Sequence, residues 1–331
     1  MLSKELAIKI IKEIDIKKAV SFAGTILMSI ALIFVFLRLF YMREDIDFTV
    51  LSSSWVIIAL LLIMLLEGAF VILASLNYRS IVMDISSAFV PFHTAVKIYN
   101  ITNMYKFIPG GLMQVIGRNR LALETKNLGH GKVALSTLIE GILWPLAAII
   151  LSLTFAFNYF IYYIRQLNRM FWLGLILAFV IGISLLIFKR LQTRLQEIIE
   201  NIKRDAKRPL RIILTRHLLY MLIMVSFWGF SFLATLTVLG QSFTLSLGIV
   251  VAGLYILSWG LGYLTPGAPS GLGIREFVLL MSLRGIINEE ILLSAIVLHR
   301  ALQIVGDIVV YVMAMAYAHA RAKKEVLPQE K

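Results

Sequence analysis

The sequence predicts an all-α, polytopic membrane protein, an inverted-topology repeat of six spans plus two re-entrant helical hairpins. Three observations predict it. Apolar runs of roughly 20 residues, enough to cross a bilayer, recur along the chain, and 60% of its 331 residues are hydrophobic against about 45–50% in a soluble domain. Two stretches share one spacing: Pro109-Gly110, seven residues, then Arg118, and Pro266-Gly267, seven residues, then Arg275. Pro, Gly and Arg are all unfavourable inside apolar regions. Helix breakers at matching places in two hydrophobic halves point to a transporter with internal repeats and a site near the bilayer midplane. Lys and Arg, finally, crowd into a few connections and avoid the others, which sets orientation.

The elements follow in order. Residues 2–18 carry Leu6, Ile10 and Ile14 at helical spacing among Lys9, Lys12, Lys17 and Lys18, the pattern of an amphipathic helix on the membrane surface. Residues 20–40 form a first span. It is long enough to be retained, which reads against a cleavable signal peptide. Arg43, Glu44, Asp45 and Asp47 form a short loop before a second span at 50–76. Residues 86–126 are less apolar and contain the first Pro-Gly element. A third span covers 133–157. An aromatic linker, with Tyr159, Tyr162, Tyr163 and Trp172, suits interface depth. A fourth span covers 170–188. The basic stretch 189–208 puts Leu191, Leu195, Ile198 and Ile202 on one face, so it too should lie on the membrane. A fifth span covers 212–239, the second Pro-Gly element lies within 244–286, and a sixth span covers 291–318, before a basic tail with Arg321, Lys323 and Lys324. The first repeat is residues 1–157 and the second 158–331.

Residues 2–18 hold five Lys and Arg and residues 189–216 hold nine, whereas the opposite loops hold only Arg43, Arg165, Arg169 and Arg284. Both termini are therefore expected in the cytoplasm, in the cell membrane. With that orientation, 86–126 must enter from the cytoplasm and return. Residues 244–286 must do so from outside. Backbone that is not helical at such depth survives only where protein or a water-filled cavity surrounds it.

The net charge of +13 fits basic cytoplasmic segments meeting an anionic lipid surface better than nucleic acid. The chain has no cysteine, which excludes disulfides and thiol chemistry. Gly129-His130-Gly131-Lys132 lacks the Ser/Thr and upstream Gly of a phosphate-binding loop. His93, His130, His217, His299 and His319 show no metal-ligand spacing and read as interfacial or solvated. No metal, no cofactor and no enzymatic activity are expected.

The candidate site lies at the hairpin tips. Pro109, Gly110 and Gly111 in one, and Pro266, Gly267, Gly271 and Gly273 in the other, let backbone N–H groups approach a ligand. Half-helices leaving the tips point their positive ends into the bilayer. Arg118 and Arg275, with Glu276 beside the second, offer donors suited to phosphate or carboxylate. The rival reading makes the tips simple turns and lets the arginines snorkel. Glu140 and Arg300 occupy similar places in the third and sixth spans with opposite sign, so a Glu140–Arg300 pair across the pseudo-twofold axis is one expectation. A local Arg300–Asp307 contact is the other, since Arg300, Gln303 and Asp307 share a face. Glu67 is a weaker candidate, near enough to the cytoplasmic end to be solvated.

These residues resemble a known family. Lys106-Phe107-Ile108-Pro109-Gly110-Gly111 with Gly117-Arg118, Glu140, and Pro266 through Glu276 are similar to the lysylphosphatidylglycerol synthase transmembrane (flippase) family, of the MprF/YbhN type. Pro269-Ser270-Gly271 stands where that family usually has Pro-Gly-Gly. The resemblance covers essentially the whole chain. It implies a lipid translocase in which Arg118, Glu140, Arg275, Glu276 and Arg300 are the matching polar positions. It also implies a stand-alone form without the synthetase domain, so lysyl-lipid synthesis is not expected. The expected substrate and partner is a membrane phospholipid or related lipid with an anionic or zwitterionic headgroup. A secondary transporter for a small anion, and a non-transporting partner of a lipid- or glycan-modifying enzyme, are the alternatives.

Overall fold

The computed structural model describes residues 29, 33, 36, 37, 40, 53–107, 112–125, 128–165, 209–265 and 267–326. Every regular element among them is helical, and no strand occurs. The amphipathic segment 2–18, the fourth span at 170–188 and the basic segment 189–208 lie outside the described residues. Of the first span, only residues 29, 33, 36, 37 and 40 are described, all helical. Pro109, Gly110, Gly111 and Pro266 also lie outside.

The chain runs α1 (Ser54–Ser86), α2 (Phe92–Asn103), a 3-10 turn (Met104–Phe107), α3 (Leu112–Arg118), α4 (Arg120–Glu124), α5 (His130–Phe155) and α6 (Phe157–Arg165). After the undescribed stretch come α7 (Leu210–Val238), α8 (Leu245–Leu264), a second 3-10 turn (Pro269–Gly271), α9 (Ile274–Leu283) and α10 (Glu289–Val326). Among the described residues, five helices are long and apolar enough to cross a membrane: α1, α5, α7, α8 and the Glu289–Tyr317 part of α10.

Local chemistry sets the ends. Helix α1 has 33 residues, about 50 Å at 1.5 Å per residue, so it overshoots a hydrocarbon core of about 30 Å. It stops ten residues beyond the expected 76, where Ser87 takes a left-handed φ of 59° and its N–H caps Met83. Proline precedes α2 and α7, as Pro91 and Pro209. Thr244 caps α8 by accepting from the Leu247 N–H. Asn288 accepts from the Glu290 and Ile291 N–H groups at the start of α10.

Two segments fold back on themselves. In the first, Gly117 of α3 packs on Thr102 and Tyr105, and Glu124 of α4 pairs with Lys97 of α2 at 3.1 Å. The return limb therefore lies antiparallel to α2. In the second, α8 runs antiparallel to α5: Gly253 packs on Phe155 and Ala156, Gly260 on Ala148, and Tyr263 ends beside Gly141. Gly141 is roughly 17 Å along α5 from its start. The chain then bends and α9 returns, so that Leu279, Leu280 and Leu283 share a core with Val251 and Leu254 of α8 and Leu236 of α7. The sequence assigned 245–264 to a hairpin limb. The structure makes it a helix of 20 residues that meets the size of a span, yet stops short of the starting end of α5.

The turns at the ends of these segments, Met104–Phe107 and Pro269–Gly271, pack against each other. Helices α1 and α10 cross tightly beside them, where Gly68 faces Val310 and Gly306 faces the Met64 carbonyl. Small residues permit such close approach of helices. At the other end of α1, Arg216 and His217 of α7 hold Asp84, and His217 Nδ1 meets Asn77 Oδ1 at 2.6 Å. His217 is thus buried and hydrogen-bonded, not interfacial as its isolation in sequence implied.

Candidate functional site

The predicted charged residues gather in two clusters, one behind each turn. In the first, Arg118 on α3 pairs with Oε2 of Glu140 on α5. Tyr99 on α2 donates to Glu140 Oε1 at 2.8 Å, and Trp144 Nε1 donates to the same atom at 3.3 Å. The Arg118 guanidinium lies over the rings of Tyr99 and Tyr78, at 4.3 and 4.8 Å, a cation–π arrangement. Only Arg118 Nε lacks a partner in this cluster. The carboxylate answers the guanidinium charge, so this cluster is electrically closed.

The expected Glu140–Arg300 pair is not formed, and neither is an Arg300–Asp307 contact. Each buried charge instead finds a partner closer by: Glu140 takes Arg118, and Arg300 Nε lies 3.7 Å from Glu276 Oε1. Asp307 bonds the Asn103 amide at 2.8 Å and the Lys106 ammonium at 2.7 Å, which ties the first turn to α10.

The second cluster is open. Arg275 Nη2 donates to the Tyr255 hydroxyl at 2.9 Å and to Gln303 Oε1 at 3.3 Å. Among the described residues, no carboxylate lies within ion-pair distance of it. Arg300 Nη2 donates to the Ser270 carbonyl at 2.9 Å. Arg300 Nε and Glu276 Oε2 have no hydrogen-bond partner. Arg275, Glu276, Arg300, Gln303, Tyr255 and His299 line a cavity of about 20 Å³, room for about one water.

The glycines explain why the turn can hold Arg275. Gly271 has φ +70°, Gly273 φ +80° and Gly267 φ +86°, with Ser270 at +53°. Most L-residues avoid this region. A Cβ on Gly271 would meet the Gly262 backbone at 2.8 Å and Arg275 Cδ at 2.9 Å. Gly285 has φ +75° with nothing within 4 Å. Gly271→Ala is therefore expected to lower the unfolding midpoint well beyond Gly285→Ala, which bears only the left-handed backbone term of about 1–2 kcal/mol. Equal shifts in thermal melts of the two variants would show that the turn yields freely.

Sequence reasoning missed the groups that surround these charges. Tyr78, Tyr99, Trp144 and Tyr255 were not singled out, and the one signal that could have found them is an aromatic hydroxyl or indole within an apolar stretch. Glu67 is 5% exposed and accepts from Ser231 at 2.6 Å, so it is buried and not solvated. His299, 2% exposed, is buried as well. Among the described residues, no group of acids and histidines could hold a metal ion.

No protein-family model matches the chain, and no curated protein or solved structure matches it.

Proposed function

We propose that the chain is an integral membrane lipid translocase, not an enzyme, moving a phospholipid or related anionic or zwitterionic lipid headgroup between leaflets. One observation carries the reading. The cavity among α7, α8, α9 and α10, behind the second turn, is lined by two guanidiniums, Arg275 and Arg300, and one carboxylate, Glu276. Its lining has one positive charge to spare, which matches a single phosphodiester. In lipid, a buried charge with no carboxylate in direct contact is expensive to keep without a role. A cavity this size holds no phosphate until the turns part, so this is the closed form. The headgroup would enter between the turns while its acyl chains stay in lipid.

The architecture we propose is six spans and two re-entrant hairpins in an inverted repeat, with both termini in the cytoplasm of a cell-membrane protein. The fold-back of α3–α4 on α2 and of α9 on α8, and the packing of their turns, support it. So does the resemblance of the Pro-Gly-x7-Arg elements to the lysylphosphatidylglycerol synthase transmembrane family. Proline and glycine at each bend would leave backbone groups free to meet a headgroup.

Orientation is testable because the chain has no cysteine of its own. Gly129 is exposed with space around its Cα, and Ser242 is exposed between α7 and α8. In sealed right-side-out vesicles, Ser242→Cys should react with an impermeant maleimide, and Gly129→Cys only after permeabilisation. The reverse pattern would invert the proposed topology.

Function is tested by reconstitution in liposomes with a fluorescent phospholipid and an external quencher. The protein should speed exchange between leaflets over empty liposomes. Flux of small anions without lipid exchange would favour the small-anion transporter, which the size of the closed cavity suits. No activity on either would favour the partner-protein reading.

A further inference from the structure

The hydrogen bonds of Arg275 continue away from the cavity into the bundle, and they set two acceptors side by side with no donor between them. Thr235 Oγ1 spends its one proton on the Ser231 carbonyl, at 3.0 Å. It must therefore accept from His299 Nδ1, also at 3.0 Å, which puts the ring proton on Nδ1. The Tyr255 oxygen accepts from Arg275 Nη2 and Gln303 Nε2, each at 2.9 Å. Its own proton is left for His299 Nε2, at 3.1 Å. Glu67 Oε1 accepts from Ser231 Oγ at 2.6 Å. Neutral His299 Nε2 and ionised Glu67 Oε1 then face each other at 3.8 Å, both acceptors, both buried. A proton on the carboxylate removes that repulsion.

Gln303 joins that pair to the anion site. Its carbonyl accepts from Arg275, and its amide donates to Tyr255, whose hydroxyl meets His299 beside Glu67. The titratable and charged groups that face Glu67 are His299 and Asp307 on α10, Tyr255 on α8 and Arg275 on α9. Helix α7 supplies only the Ser231 and Thr235 hydroxyls. Arg275 and Arg300 also act on His299, and Lys106 is taken up by Asp307. Glu67 is therefore the carboxylate that offsets Arg275 across the Tyr255–His299 bridge when the cavity holds no anion.

We propose that Glu67 and His299 form a proton-binding site, and that a proton taken up there accompanies an anionic headgroup bound at Arg275 and Arg300. The coupling rests on the anion-site reading above. Its basis is charge balance in a medium that tolerates little net charge. Anion binding supplies Arg275 with a counter-charge, which leaves the Glu67 carboxylate in excess. A proton on Glu67 restores neutrality. It comes from a hydronium in the cavity, which His299 and Tyr255 line, and leaves a water there, while the carboxylate becomes a carboxylic acid. No other bond changes. Headgroup and proton would then move together, so a proton gradient could drive lipid between leaflets.

The test uses infrared difference spectroscopy on the full chain in lipid nanodiscs, with the soluble phosphodiester glycerophosphoglycerol as probe. A protonated-carboxyl band should vanish as pH rises and be absent in Glu67→Gln. Ser231→Ala, which keeps every charge but removes the 2.6 Å bond, should shift its frequency even if Glu67→Gln does not fold. Adding the probe at fixed pH should strengthen the band and take up about one proton per bound molecule, measured with a pH dye. A band indifferent to both variants overturns the proton site. Probe binding with no proton uptake overturns the coupling. A Glu67 band that titrates while the probe does not bind leaves the proton site standing and brings down both the anion-site reading and its coupling.

Discussion

Glu140→Gln is expected to give the largest loss of stability of any single substitution in the first cluster. The Glu140 carboxylate, 1% exposed, pairs with Arg118, itself 5% exposed, and accepts from Tyr99 and Trp144. Glutamine keeps the size but leaves a guanidinium buried without its counter-charge. Removing one member of a buried pair costs about 3–5 kcal/mol, whereas removing both charges is often close to neutral. The double variant Arg118→Met with Glu140→Gln should therefore melt well above Glu140→Gln alone, as thermal midpoints of the detergent-solubilised protein would show. Additive effects would mean that the two charges do not interact. The exchange Glu140→Arg with Arg300→Glu should not restore stability. The two residues belong to separate clusters, so each substitution creates a like-charge clash. The introduced guanidinium would face Arg118, and the introduced carboxylate would face Glu276.

Arg275→Lys is the largest expected effect on transport. Lysine keeps the charge but loses the planar fork that reaches Tyr255 and Gln303 together and that, on the proposed function, would also hold a phosphodiester. Losing one charge-assisted hydrogen bond removes about 1.5–3 kcal/mol, so leaflet exchange per reconstituted protein should fall about 10- to 100-fold. The melting temperature should move little, because Arg275 closes no ion pair among the described residues. Arg118→Lys should behave the other way, lowering stability more than the rate of the protein that remains folded. A wild-type rate in Arg275→Lys would reduce the second turn to a structural bend.

Much of this was legible in the chain. Apolar runs located α1, α5, α7 and α10 to within a few residues at most ends, because a helix that must bury its backbone in lipid needs an unbroken apolar stretch. The fold-backs between α2 and α3 and between α8 and α9 were legible for the opposite reason, since Pro and Gly stand between those helices in the sequence and cannot continue a helix. Arg118, Glu140, Arg275, Glu276, Arg300 and Asp307 stood out because charge is rare in such surroundings. Their pairing was not legible. It depends on which limb of each folded-back segment lies against which helix. Sequence spacing fixes rotation along a helix but not the distance between helices. Glu140 met Arg118 because α3 folds back against α5. Arg300 met Glu276 because α9 returns beside α10.

The aromatic hydroxyls mark the same limit. Nothing in the sequence singles out Tyr99 and Tyr255, which become hydrogen-bond partners only where packing excludes water and leaves buried charges to be satisfied by protein groups. Sequence by itself determined the helical, apolar class of fold, most of the long apolar helices, and the charged residues that are costly to bury. Tertiary structure decided which of those charges cancel and which remain. Arg118 is answered directly by a carboxylate and Arg275 is not, a difference that two identically spaced motifs could not reveal. Charge balance is a property of neighbours in space, and neighbours are chosen by packing.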